Sequence, residues 1–142
     1  MREKITVERY MTYFPHTIGS DQTLRKAEKM MAEHRVRHLP VLEGGRLVGV
    51  VSDRDIKMVE SFHEVDPEEV TIAEALIEDP LVVSPKAPLA DVCAEMAQHK
   101  YGSALVVDNH KLVGIFTWVD ALRAVSEVLE FGAQQKASVQ KW

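Results

Sequence analysis

Two short segments carry most of the chemistry this sequence can offer. Gly49-Val50-Val51-Ser52-Asp53-Arg54-Asp55 and Gly114-Ile115-Phe116-Thr117-Trp118-Val119-Asp120 share one form: Gly, two apolar residues, Ser or Thr, two free positions, Asp. Each reads as a strand running into a helix. A helix start offers unpaired N–H groups and partial positive charge, which suit a phosphate. The hydroxyls of Ser52 and Thr117 add a donor there. Asp55 and Asp120, one turn in, can accept two hydrogen bonds from a ribose cis-diol. Gly49 and Gly114 let a ligand approach the backbone closely. The same spacing also reads as a capping box, with Asp a shorter partner than Glu or Gln. The sequence leaves both readings open.

Other candidates are weaker. His34 and His38 are four residues apart, as two metal ligands on a helix would be. Leu39-Pro40 ends the helical pattern before His38, and no third ligand has matching spacing, so no metal is expected. Cys93 is the only cysteine, which excludes an internal disulfide. It reads as a small packed residue. Trp118 suits packing or a stacked base. No Ser/His/Asp or Cys/His arrangement and no pair of acids placed for proton transfer is recognisable, so no enzyme is expected.

The elements that position these residues come in duplicate. At a constant offset of 65 residues, Pro15 aligns with Pro80, Leu24 with Leu89, Met31 with Met96, Gly49 with Gly114 and Asp55 with Asp120. Each copy reads helix, strand, helix, strand, strand, helix. Short opening helices are expected over Val7–Thr12 and Ile72–Ile77, and extended pieces over His16–Ile18 and Leu81–Val83. Asp21 or Thr23 can cap the next helix, and Pro88 opens its counterpart. Leu24, Ala27, Met31 and Leu89, Val92, Met96 form one helical stripe each. Strands Leu39–Leu42 and Leu47–Val51 meet at Gly44-Gly45, a hairpin pair that tolerates positive φ. Asp108-Asn109-His110 serves the second copy. The division is residues 5–60, an acidic connector 61–70, residues 71–125, and a helix end with a tail over 126–142.

With Arg37-His38-Leu39-Pro40-Val41, the Gly44-Gly45 hairpin and the two Gly-x-x-Ser/Thr-x-x-Asp segments, the chain resembles a tandem pair of cystathionine β-synthase (CBS) domains, a Bateman module. It is similar to the free-standing CBS-pair proteins of prokaryotes. The resemblance implies an α+β fold of two small sheets packed about a pseudo-twofold axis, with two clefts between the repeats. It implies an adenosine ligand: AMP, ADP, ATP, S-adenosylmethionine, NAD or a cyclic dinucleotide. By the resemblance, Asp55 and Asp120 hold ribose, while Ser52, Thr117, Arg37 and His38 face phosphate. Thr17, Ile18, Pro40, Val82, Val83, Gly49 and Gly114 then line the adenine pocket. The second copy departs from the pattern, with Gly102 and Ser103 at the positions of Arg37 and His38, so unequal clefts are expected. Family members usually dimerise through helices. Ile56, Met58 and Val59, with Val119, Leu122 and Val125, are the apolar face available for that.

The expected function is therefore a regulatory adenosine-nucleotide sensor acting on an unidentified partner. The competing reading is a structural dimerisation module in which the four Ser/Thr and Asp residues only cap helices. The formal charge of −5 gives no basic footprint for nucleic acid. No apolar run approaches the ~20 residues that span a bilayer. Met1-Arg2-Glu3-Lys4 begins no apolar segment, so no signal peptide is expected and the expected location is the cytoplasm.

Overall fold

The computed structural model describes residues 4–62, 64–75 and 79–132. A single 3₁₀ turn (Val7–Arg9) leads into β1 (Thr12–Tyr13) and β2 (Ile18–Gly19). Next come α1 (Leu24–His34), β3 (His38–Glu43), β4 (Arg46–Ser52) and α2 (Asp53–Glu60). The second copy supplies α3 (Ile72–Ala75), β5 (Leu81–Val83), α4 (Leu89–His99), β6 (Ser103–Asp108), β7 (Lys111–Thr117) and α5 (Trp118–Gly132). The opening helix expected over Val7–Thr12 is cut short because Thr12 and Tyr13 pair with Ile115 and Gly114 on β7. Residues 76 and 77 of the second opening helix, and the tail beyond residue 132, lie outside the described residues.

The local signals explain most boundaries. Thr23, rather than Asp21, caps α1, its Oγ1 accepting from the Lys26 amide at 3.1 Å. α1 and α4 both end on a left-handed residue, Arg35 (φ 54°) and Lys100 (φ 59°), whose amide reaches back to Met31 or Met96. The first hairpin turns on Gly44 (φ 57°) and Gly45 (φ 81°). The second does the same work with Asn109 (φ 49°) and His110 (φ 65°), two residue types that enter this region more readily than most.

Two sheets form, one of strand order β2-β3-β4 and one of order β1-β7-β6-β5. In both, a short strand runs parallel to the first hairpin strand, Ile18 beside Val41 and Val83 beside Val106. The cores do not respect the repeat boundaries. Ile72, from the start of the second copy, is buried with Ile18, Leu24, Leu39 and Ile56 of the first. Val7 and Met11, from the start of the first copy, are buried with Leu89, Val92 and Phe116 of the second. Val50, Leu105 and Ile115 join the two sheets in a small central cluster. The connector is docked, not loose: the Leu24 and Arg25 amides donate to the carbonyls of Val70 and Pro67. Of the residues expected on an apolar outer face, Ile56 instead points inward, at 1% exposure, because it completes the first core. Met58, Val119, Leu122 and Val125 remain exposed.

Candidate functional site

Two clefts lie at the seam between the copies, and each is built from both. The first, about 520 Å³, takes Ser52, Asp55 and Met58 from the start of α2. Its other wall is Pro80 and Leu81, with Lys100 and Gly102. The second, about 290 Å³, takes Thr117, Asp120 and Arg123 from α5, faced by Pro15 and His16, with Arg35. These are the same positions shifted by 65 residues, so the duplication builds one cleft twice. Arg37, His38 and Trp118 line both clefts and form the wall between them.

The two Ser/Thr-x-x-Asp turns are not alike. Around α2 the hydroxyl does the capping: Ser52 Oγ accepts from the Asp55 amide at 3.1 Å. The carboxylate does not reach back, and Asp55 Oδ2 is buried with no hydrogen-bond partner among the described residues. Around α5 the carboxylate does the capping. Asp120 Oδ2 accepts from the Thr117 amide at 2.9 Å and from its hydroxyl at 3.2 Å. Arg123 Nη1 donates to Oδ1 at 3.2 Å. Each copy thus shows one half of a capping box. Asp120 is satisfied within its own helix, while Asp55 retains an acceptor that burial makes costly to leave unpaired.

His38, in the wall shared by the two clefts, lies against Gly102. A Cβ at position 102 would come within 2.6 Å of His38 Nε2, so Gly102, the counterpart of Arg37, makes room for this imidazole. Burial pushes the His38 pKa down, against the upward pull of Asp55. Its ring is therefore neutral near pH 7 and offers one donor and one acceptor. In the first cleft Arg37, Arg54 and Lys100 face Asp53, Asp55 and Asp79, and Lys57 binds Asp53 at 3.0 Å.

The ribose and phosphate candidates are thus brought to the clefts. Of the residues expected around adenine, none lines either one. Ile18 and Pro40 are buried in the first body, and Gly49 pairs with Val41 inside its sheet. Thr17 and Val82 line a separate groove near the hairpin ends. Val83 packs on the second core. At Gly114 a Cβ would come within 2.5 Å of the Met11 sulfur, so that glycine admits a core side chain. The extended pieces reach the clefts only at their leading residues, Pro15-His16 and Pro80-Leu81. Sequence reasoning missed these, although the two prolines at one offset were the available signal. His34, at the end of α1, stacks on His16 with ring centroids 3.6 Å apart, while His38 lies on β3. Among the described residues no group of three or more His, Cys, Asp or Glu converges as a metal site requires.

The CBS-domain family matches twice, over residues 7–61 and 69–127. The chain belongs to the CBS-domain family. Among curated relatives of this CBS pair, CBS domain-containing protein YhcV from Bacillus subtilis is 32% identical over 110 residues, which are 78% of each chain. Among solved CBS structures, CBSX2 in complex with AMP is 27% identical with a TM-score of 0.73, over 87% of this chain and 98% of that one. The CBS pair of protein MJ0100, in complex with 5′-methylthioadenosine and S-adenosylmethionine, is 25% identical with a TM-score of 0.75, over 85% and 99%.

Proposed function

We propose that this CBS pair binds an adenosine nucleotide in its first cleft and acts as a regulatory module on a partner protein. The observation that carries this reading is the buried, unpartnered Asp55 Oδ2 in a polar cleft of about 520 Å³. That volume falls within the range of small-molecule sites. A ribose cis-diol supplies the donors Asp55 lacks. Ser52 Oγ already accepts from the Asp55 amide, so its own hydrogen is free for a phosphate oxygen. Arg37, His38 and Lys100 supply charge and donors on the same side. The base then lies along Pro80-Leu81, between Met58 and Trp118. The AMP, S-adenosylmethionine and methylthioadenosine held by the two solved relatives share the nucleoside that this arrangement fits.

The second cleft favours the structural reading for its own turn, since Asp120 and Thr117 satisfy each other there. Regulation follows only if the ligand binds one arrangement of the pair more tightly than another. Self-association through the exposed Leu122, Val125, Val128 and Leu129 of α5 is the proposed route by which the signal is passed on. No helix among the described residues is long and apolar enough to cross a membrane, and we place the module in the cytoplasm.

Thermal unfolding with AMP, ADP, ATP, S-adenosylmethionine, NAD and a guanine nucleotide tests the reading. At 100 times its dissociation constant a ligand stabilises by about 2.7 kcal/mol. The midpoint then rises by about 5–10 °C for a chain of this size. A selective adenosine response is expected. No response to any of them, with the fold intact, leaves a structural module.

His38 makes the binding proton-linked. A bound phosphate favours the imidazolium, whereas burial in the free protein disfavours it. The bound-state pKa therefore exceeds the free-state one. Affinity for AMP rises as pH falls through the interval between them, by at most about tenfold per pH unit. Protonation of the phosphate itself near pH 6 works in the opposite direction, by removing ligand charge, and is common to both proteins. The expected result is a steeper pH dependence for the unmodified chain than for His38→Gln, with adenosine unaffected. Identical profiles for the two proteins remove His38 from the phosphate.

A further inference from the structure

We propose that Glu28 on α1 and Glu60 on α2 share one proton, and that this proton clamps α2 onto α1 and so holds the Ser52–Asp55 turn in place. Oε1 of each is buried without a hydrogen-bond partner among the described residues. Their helices, α1 and α2, pack against one another, and Glu60 acts on Glu28 as a side-chain hydrogen-bonding neighbour. Two facing carboxylates offer only acceptors, whereas a single proton makes one of them a donor and satisfies both.

The surroundings favour the protonated pair. Burial first, then Glu60, push the Glu28 pKa up to about 7. Asp53, at the start of α2, adds charge of the same sign, partly offset by Lys57 at 3.0 Å. Arg25 opposes from its own helix, but only at 3.9 Å. The connector docked on the first turn of α1 carries Asp66, Glu68 and Glu69, which offer no cation. On the sheet beneath, His38 is held neutral by burial and so supplies no charge at neutral pH.

The fold does not require acids here. Sixty-five residues on, the same positions are Cys93 and Val125, which line an apolar groove between α4 and α5. The first copy therefore places a titratable pair where the second has neutral side chains, on the helix that carries Asp55. Folding raises the carboxyl pKa from the ordinary value of 4.5 to about 7. The clamp is complete below the lower value and is lost as pH rises through the upper one. At pH 8 two negative charges face each other across the α1–α2 contact and loosen α2.

The test reads stability and backbone protection, not ligand binding, and so stands or falls apart from the nucleotide reading. Thermal midpoints of the whole chain are measured from pH 5 to 8.5, with amide exchange along α2, for the unmodified chain and for Glu28→Gln. The glutamine amide supplies a permanent donor to Glu60. Between pH 6 and 8 the unmodified chain is expected to lose about 5 °C more than Glu28→Gln. Its α2 amides are expected to exchange about tenfold faster than the variant's at pH 8. If Glu28→Gln does not fold, Glu28→Cys with Glu60→Val installs the neutral pair of the second copy and must give the same flattened profile. Parallel midpoint curves for the unmodified chain and the folded variant overturn the proposal.

Discussion

Asp55→Ala is expected to weaken adenosine-nucleotide binding by about a hundredfold or more, while Asp120→Ala changes it by less than threefold. Hydrogen bonds to a charged acceptor are worth about 1.5–3 kcal/mol each, and a ribose diol makes two. Three of the roughly four acceptor sites of the Asp120 carboxylate are already taken, by Thr117 and Arg123. Stability should divide the other way. Asp120 is 4% exposed and holds the first turn of α5, so its loss leaves Thr117 and Arg123 without their partner. That costs about 1–3 kcal/mol. Asp55→Ala removes a buried acceptor with no partner, and costs little or nothing. Isothermal titration and thermal unfolding on the two variants read both effects. Equal losses of affinity would mean that the clefts share the work, and that the Arg123 contact opens when a nucleotide arrives.

Removing residues 1–13 is expected to unfold one half of the molecule and spare the other. That segment takes Val7 and Met11 from the second core, where they are 0% and 7% exposed. It also removes β1 from the edge of β7, the Val7 and Glu8 amides from the carbonyls of Ala87 and Pro85, and the Ile5 carbonyl from the Leu89 amide. Burying one such side chain is worth about 1.5–3 kcal/mol. The total loss is then about 5 kcal/mol, comparable with the whole stability of many domains. Amide exchange should show β5, β6, β7 and α4 losing protection while β3, β4 and α1 keep theirs. Uniform protection in the shortened chain would show that the second core closes without its borrowed segment.

The duplication, the two amphipathic helices and both hairpins were legible because their signals are local: a stripe at helical spacing, a turn residue, a constant offset. The exchange of opening segments was not. Nothing within Val7–Tyr13 says which sheet its strand will join, since that pairing spans more than a hundred residues of chain. A different, local cause kept the residues expected around adenine out of the clefts. Thr17 and Ile18 sit in the right segment, but strand alternation sends Ile18 into the core, and the cleft takes Pro15 and His16 of that segment. The choice between ribose acceptor and helix cap was open because the spacing permits both. The structure divides the motif between copies, with Ser52 capping in one and Asp120 in the other. Arg123 tips that balance. Its counterpart in the first copy is Met58, which cannot donate to a carboxylate.

The exchanged segments also impose an order on synthesis. The first core draws on Ile18 through Ile72, one continuous stretch that is complete once the connector has been made. The second core needs Val7 and Phe116 together. The opening segment must therefore wait, its apolar side chains uncovered, while about a hundred further residues are added, roughly 5–20 s at ribosomal rates of about 5–20 residues per second. During that interval a finished half-molecule trails an unsatisfied strand, exposed to β7 of a neighbouring chain until its own β7 is made.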